Sequence, residues 1–286
     1  MSRPAEKAAL DHWYCIGAST GITATPKRDR LLGHDLTLHR DAGGKVIVTE
    51  VGGDGTAFPV RERYDCVWTT LGAPERDVVD IPEGEESDRR KVLCGTVAVN
   101  ASGLRIIENF LDMAHFPFVH TDILGSEPHT EVLHYTTEIR RDVDEVWATN
   151  CAFFQPKAAM AARDGIMVQY MYRVATPFVT LLYKTSPNFA NRWDVICLFV
   201  QPMAPDRCRA HPLLLILDDQ SSEEALISFQ QMILLQDRII LENQRPRLLP
   251  LDPRAEIPTR ADASSVAYRR WLKEKGVTYG TVEGGL

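Results

Sequence analysis

The chain has 286 residues, 44% of them hydrophobic, enough for one large domain or two modest ones around a packed core. Its net charge is −7 and its 32 lysines and arginines are scattered without a basic run, which argues against nucleic acid as the main partner and for a small molecule or another protein. MSRPAEKAALDHWY has no apolar stretch suited to a signal peptide, and nowhere do about 18 uncharged apolar residues run together, so no membrane partner is expected and the expected location is cytoplasmic.

In chain order, LLGHDLTLHRDAGGKVIVTEV (31–51) reads as a β-hairpin turning at D-A-G-G, with His34 and His39 at surface or edge positions. FPVRERYDCVWTTLG reads as a second strand pair, and the charged, proline-bearing PERDVVDIPEGEESDRRK as a loop, which puts a boundary near residue 75. VLCGTVAVN then feeds a helix. Beyond it, EVLHYTTEIRR, EVWATNCAFF, IMVQYMYRVATPFVTLLYKTS, WDVICLFVQPMAP and HPLLLILDD suggest an antiparallel sheet of about six or seven strands. A long helix follows over SSEEALISFQQMILLQDRIILENQRP, with serines as N-cap candidates, glutamates in its first turn and Pro246 near its stop.

The six cysteines show no C-x-x-C spacing and read as reduced, mostly buried thiols. The single C-x-x-H, Cys208 with His211, opens an apolar strand without a matching second pair and reads as core.

ENFLDMAHFPFVH (108–120) carries the chemistry. Side chains five apart on a regular helix are rotated by roughly 140°, so His115 and His120 can share a ligand only if the helix deforms. Pro117, lacking an N–H, lies between them and is expected to end or kink the helix there. Asp112 and His115, three apart, can share a face. On the late helix, a 100° wheel places Leu226, Phe229, Ile233, Leu234, Ile240 and Leu241 on one arc with Asp237 in its middle. A carboxylate facing the core needs a cation, a metal or strong donors. Arg238 and Arg245 are near in sequence but fall on the polar side of the wheel. Two histidines and one carboxylate on one side of an ion suit a non-haem Fe(II) oxygenase. Zinc hydrolysis is the alternative, without its H-E-x-x-H arrangement.

NFLDMAHFPFVH resembles the N-x-x-D-x-x-H-x-x-x-x-H signature of Rieske-type aromatic-ring and demethylating oxygenases. The resemblance implies His115, His120 and Asp237 as iron ligands, Asp112 as the acid coupling the iron site to an electron donor, and Asn109 as the start of the motif. ADASSVAYRRWL resembles the family's closing helix. HWYCIGAS, LLGHDLTLHRD, KVIVTE and PVRERYDCVWTTLG resemble the framework of its N-terminal Rieske domain, but the C-x-H that a Rieske [2Fe–2S] centre needs occurs nowhere, and V-G-G-D-G-T-A stands where a cluster-bearing loop belongs.

The expected fold class is therefore α+β: a curved antiparallel sheet with a long C-terminal helix (helix-grip, START-like) over 76–286, plus a small all-β Rieske-like remnant without [2Fe–2S] over 1–75. Within the family the arrangement is similar to oxygenase subunits that take 7-methylxanthine to xanthine and formaldehyde. That resemblance implies mononuclear Fe(II), O₂, and electrons from NAD(P)H through a separate Rieske-bearing reductase. It also implies a glutathione-transferase-like structural subunit, and a trimeric core or hetero-hexamer. Phe153, Gln169, Gln230, Ile233 and Leu234 are candidates to line a pocket for a small aromatic heterocycle, Gln230 as its hydrogen-bond donor. Two other readings are a demethylase or hydroxylase of another aromatic, and a non-catalytic ligand-binding or scaffolding subunit.

Overall fold

Turn residues chop the N-terminal part of the chain into short strands. In the computed structural model, which describes residues 5–157, 165–186, 189–252 and 254–282, a helical turn α1 (Lys7–Leu10) precedes β1 (Tyr14–Ala18), β2 (Lys27–Leu31), β3 (His34–Arg40), β4 (Val46–Glu50), β5 (Val60–Arg63) and β6 (Cys66–Thr69). β3 and β4 form the expected hairpin, whose turn is held by Asp41 Oδ1 accepting from the Gly43 and Lys45 amides. β2 adds to it in the order β2-β3-β4, which puts His39 on a central strand rather than an edge; His34 is half-buried, with Nδ1 2.8 Å from Glu50 Oε1. β5 and β6 turn through Tyr64 (φ +58°) and Asp65 (φ +57°), the two-residue geometry that matches strand twist. β1 completes a second sheet, β1-β6-β5.

The large sheet has eight antiparallel strands: β7 (Arg90–Leu93), β8 (Val97–Val99), β9 (Thr136–Arg140), β10 (Glu145–Gln155), β11 (Ile166–Thr176), β12 (Val179–Thr185), β13 (Trp193–Ala204) and β14 (Arg207–Ile216). Their order is β7-β14-β13-β12-β11-β10-β9, with β8 also on β14. The count exceeds the expected six or seven because VLCGTVAVN breaks at Gly95 (φ +77°) into two strands that both pair with β14. EVLHYTTEIRR becomes a strand only from Thr136.

Helices α2 (Gly103–Leu111), α3 (Phe116–Val119), α4 (Glu223–Asn243) and α5 (Ala263–Lys275) complete the architecture with a short parallel pair, β15 (Leu249–Pro250) and β16 (Thr281–Val282). Among the described residues no helix is long and apolar enough to cross a membrane. α2 starts hard against β13: a Cβ on Gly103 would lie 2.8 Å from Val200 Cγ1, so only glycine permits this approach. The buried Arg105 of α2 bonds Glu108 at 2.9 Å and Glu256 at 2.7 Å, and Arg269 of α5 binds the same two acids. These charges pair within the fold, as burial demands.

Successive side chains of the central strands serve opposite faces. Val179, Leu181, Tyr183, Val195, Cys197 and Phe199 pack against Trp13, Cys15, Cys66 and Trp68 of the N-terminal region, with Trp68 edge-on to Phe199 at 4.7 Å. Leu182, Ile196 and Leu198 face the helices and line a cavity there. On α4 the buried residues are Leu226, Gln230, Leu234, Asp237 and Leu241. This stripe is narrower than the wheel predicts, because the helix meets the sheet along i, i+3/i+4 positions only. Ile240 is consequently 50% exposed rather than part of the buried arc.

Candidate metal centre

The helix breaks before His115, not at Pro117. α2 ends at Leu111, whose carbonyl accepts from the Ser264 hydroxyl of α5 at 3.1 Å. Asp112 then takes an extended conformation (φ −89°, ψ 130°). Its Oδ1 accepts from the Ala114 amide at 2.8 Å, and its Oδ2 from His115 Nδ1–H at 2.9 Å. Pro117 sits in the first turn of α3, where its missing N–H costs nothing. It therefore starts the second helix instead of ending the first. His115 and His120 occupy the two caps of this one-turn helix, and their Nε2 atoms stand 3.2 Å apart.

Asp237 reaches the same point from α4, with Oδ1 3.3 Å from His115 Nε2 and 3.0 Å from His120 Nε2. Among the described residues this is the one group of three His, Cys, Asp or Glu side chains whose donor atoms converge so closely. Donors at right angles, each about 2.1 Å from one ion, would stand about 3 Å apart. The three observed separations match that spacing, and two imidazoles with one carboxylate suit a first-row divalent metal with positions left open.

The other ring nitrogens are tied down. His120 Nδ1–H donates to Gln236 Oε1 at 2.8 Å, as His115 Nδ1–H donates to Asp112, so each Nε2 is turned toward the shared point. Asn109 Nδ2 donates weakly to Asp237 Oδ1, at 3.4 Å. Burial opposes charge on Asp237, but the two imidazoles outweigh it and hold the carboxyl below its usual range. Burial also opposes charge on His115, yet Asp112 and Asp237 together raise it to about 9. Two carboxylates thus make this point attractive to positive charge.

The donors open into a cavity of about 80 Å³. Gln230, Ile233 and Leu234 line it, as does Asn109. Phe153 does not; its ring supports Phe116 at 5.5 Å, which stands edge-on to His115 at 5.0 Å. Gln169 points the other way and is exposed, because β10 and β11 pair it opposite Ala152, on the face away from Phe153. The face it was expected to serve belongs to Val168, Tyr170 and Tyr172. Sequence reading also passed over Gln236 and Gln155. Gln155 was reachable by continuing the period-two step from Phe153; Gln236 carried no signal beyond adjacency to Asp237.

A larger cavity, about 260 Å³, lies between the N-terminal region and α5. Several of its polar groups pair with one another: Trp271 Nε1 and Lys275 bond Asp144, and Trp13 Nε1 donates to the Arg76 carbonyl, while Thr176 Oγ1 has no partner among the described residues. Burial and the Lys275 charge push its His12 down to about 4, leaving a neutral imidazole. Cys208 and His211 form no ligand pair. The thiol donates to the Ala101 carbonyl, while His211 lies between Thr96 and Gln201.

Residues 99–277 match the family described as vanillate O-demethylase oxygenase C-terminal domain. A probable methylxanthine N7-demethylase, NdmC, of Pseudomonas sp. (strain TJI-51) is 48% identical over 277 residues, covering 96% of this chain and 97% of that protein. Methylxanthine N1-demethylase NdmA of Pseudomonas putida is 25% identical over 227 residues, covering 76% of this chain and 60% of that protein. In fold, the solved structure of Pseudomonas putida CBB5 NdmA with caffeine superposes with a TM-score of 0.74 over 94% of this chain and 92% of that one, at 16% identity.

Proposed function

Because the chain belongs to the vanillate O-demethylase oxygenase family of Rieske-type oxygenases, we propose that it removes the N7-methyl group of 7-methylxanthine by oxidation, giving xanthine and formaldehyde. The convergence of His115, His120 and Asp237 carries this reading. The likeness to a probable methylxanthine N7-demethylase supports the choice of substrate.

In this reading His115, His120 and Asp237 hold Fe(II), which when bound supplies dioxygen activation and attack on the methyl C–H bond. Asp112 and Gln236 keep both imidazoles in the tautomer that ligates. Asn109 steadies Asp237. Phe116, Leu182 and Leu198 exclude water from the reacting methyl group, and Gln230 donates to the planar ring. The balance is one N-methyl group, O₂, two electrons and two protons giving an N-hydroxymethyl group and water. The N–CH₂OH then loses formaldehyde, and the ring nitrogen regains a proton.

No C-x-H is present to build a Rieske cluster in this chain, so both electrons come from NAD(P)H through a separate Rieske-bearing reductase. Asp112, whose side chain is 24% exposed, lies between His115 and solvent and is the point of entry. We assign residues 1–75 to a cluster-less Rieske-like module and 76–286 to the iron-binding one. A glutathione-transferase-like subunit and a trimeric or hetero-hexameric assembly complete the proposed complex.

The test is reconstitution with Fe(II), the reductase and 7-methylxanthine, reading formaldehyde and iron together. Wild type should release formaldehyde only with O₂ and reductant; Asp237→Ala should lose both iron and turnover. Full iron content in that variant would overturn the ligand assignment, and turnover without O₂ would overturn the oxygenase.

A further inference from the structure

Buried polar groups in folded proteins nearly always have hydrogen-bond partners. Three in the wall of the metal cavity do not: among the described residues nothing bonds Gln155 Oε1 or the hydroxyls of Tyr170 and Tyr172. All three residues are almost completely buried. Gln155 ends β10 opposite Ile166, whereas the tyrosines, with their rings stacked at 6.2 Å, lie on β11 opposite Cys151 and Ala148, on the other side of Phe153. Burial pushes both phenols well up, so they stay protonated and able to donate. An orphan that destabilises the chain alone is retained at little cost if a ligand satisfies it.

Gln155 also lies at an informative position relative to the metal donors. Phe153 backs Phe116, which packs on both histidines. Gln155 follows Phe153 on the same strand face, one repeat of about 6.7 Å further on. A bicyclic ligand with one end at His115, His120 and Asp237 presents its other end toward Gln155.

We propose that Gln155 recognises an unmethylated N–H/C=O edge of the substrate's six-membered ring and so determines which methylxanthines are accepted. The inference rests on the functional reading above. A carboxamide presents an acceptor beside a donor, the complement of a ring N–H beside a carbonyl. In 7-methylxanthine N1 and N3 both carry hydrogen, so Gln155 Oε1 accepts from N–H while its Nε2 donates to the adjacent ring carbonyl. In caffeine both positions carry methyl groups. Oε1 then stays unpaired, with a methyl group pressed against it. A site built around a hydrogen bond discriminates in this way far more sharply than an apolar one. The substrate is then supplied by reactions that remove methyl groups from the six-membered ring.

Equilibrium binding to the iron-loaded protein, kept free of O₂ and titrated with 7-methylxanthine or caffeine, separates the possibilities. Wild type should prefer 7-methylxanthine by roughly 10- to 100-fold or more. Gln155→Leu should bring that ratio close to one while melting no lower than wild type, because it removes an orphan rather than a bond. Tyr170→Phe, which removes another orphan hydroxyl on the other side of Phe153, should leave the ratio unchanged. An unchanged ratio in Gln155→Leu, a lower melting temperature with the ratio kept, or a ratio lost in Tyr170→Phe alone would overturn the assignment. Equal binding of both compounds by wild type overturns it too and leaves the functional reading standing. Binding of neither compound overturns that reading and the inference with it.

Discussion

The two faces of the large sheet are built from the same strands and differ in how completely they are filled. Toward the N-terminal region, β12, β13 and β14 present a surface filled by Trp13, Trp68 and Tyr64. Several of its polar members are linked, Thr96 to His211, His211 to Gln201, Gln201 to Asp29 and Asp29 to Arg209, although Asp29 Oδ2 and Glu83 Oε2 have no partner among the described residues. Toward the helices, alternate residues of these strands face open space and imidazoles held by carboxylates, beside Gln155 of β10 and Tyr170 and Tyr172 of β11, whose polar atoms lack partners among the described residues. One face contributes stability and the other withholds it. The site lies where the chain alone leaves hydrogen bonding incomplete, as expected of a surface shaped for a ligand.

The contrast can be broken from either side. Trp68→Ala empties the filled face, where the indole is fully buried, edge-on to Phe199, and bonded through Nε1 to the Arg63 carbonyl. It should cost about 3–5 kcal/mol in urea unfolding, while the folded fraction keeps its iron; iron loss in the folded fraction would show that the two faces are not separable. Gln236→Ala acts on the open face. It removes the acceptor that orients His120 and should weaken metal binding roughly 10- to 100-fold, with little change in unfolding free energy. A competition titration with a chelator reads the first, and the same urea curves the second.

The sequence made the contents of the open face legible sooner than its geometry. His115, His120 and Asp237 were readable because a carboxylate amid leucines and isoleucines demands a partner. The way the histidines meet was not. Pro117 looked like the deformation, whereas the break is at Asp112, held by its own side chain on the Ala114 amide and by the hydroxyl that Ser264, more than 150 residues later, donates to the Leu111 carbonyl, a contact no local pattern announces. The strands show the same limit. Hydrophobic alternation located β10 and β11, but which side of Gln169 is the inside depends on the register between them, and a one-residue slip exchanges the faces. The filled face left a different trace. VICLFV and PLLLIL are nearly continuous apolar runs because a second layer covers the strands, and that layer is the N-terminal region.

The smallest expected effect tests the filled face by pH. His211 is buried there between Thr96 Oγ1 and Gln201 Oε1, and burial, with Arg209 and Lys27 nearby, pushes it down to about 3. Its unfolded value is near 6.5. Above pH 6.5 both states hold a neutral imidazole and its contribution to stability is complete. As pH falls from there toward 3, the unfolded chain takes a proton that the folded chain refuses, and stability is lost. Between pH 7.5 and 5.5 that amounts to about 1 kcal/mol from this one group. Urea unfolding of wild type and His211→Gln at the two pH values isolates it, since the variant should lose less by that amount. Equal losses would mean that His211 takes up its proton in the folded state, and the polar chain from Thr96 to Asp29 would then be looser than the tightly packed face around it.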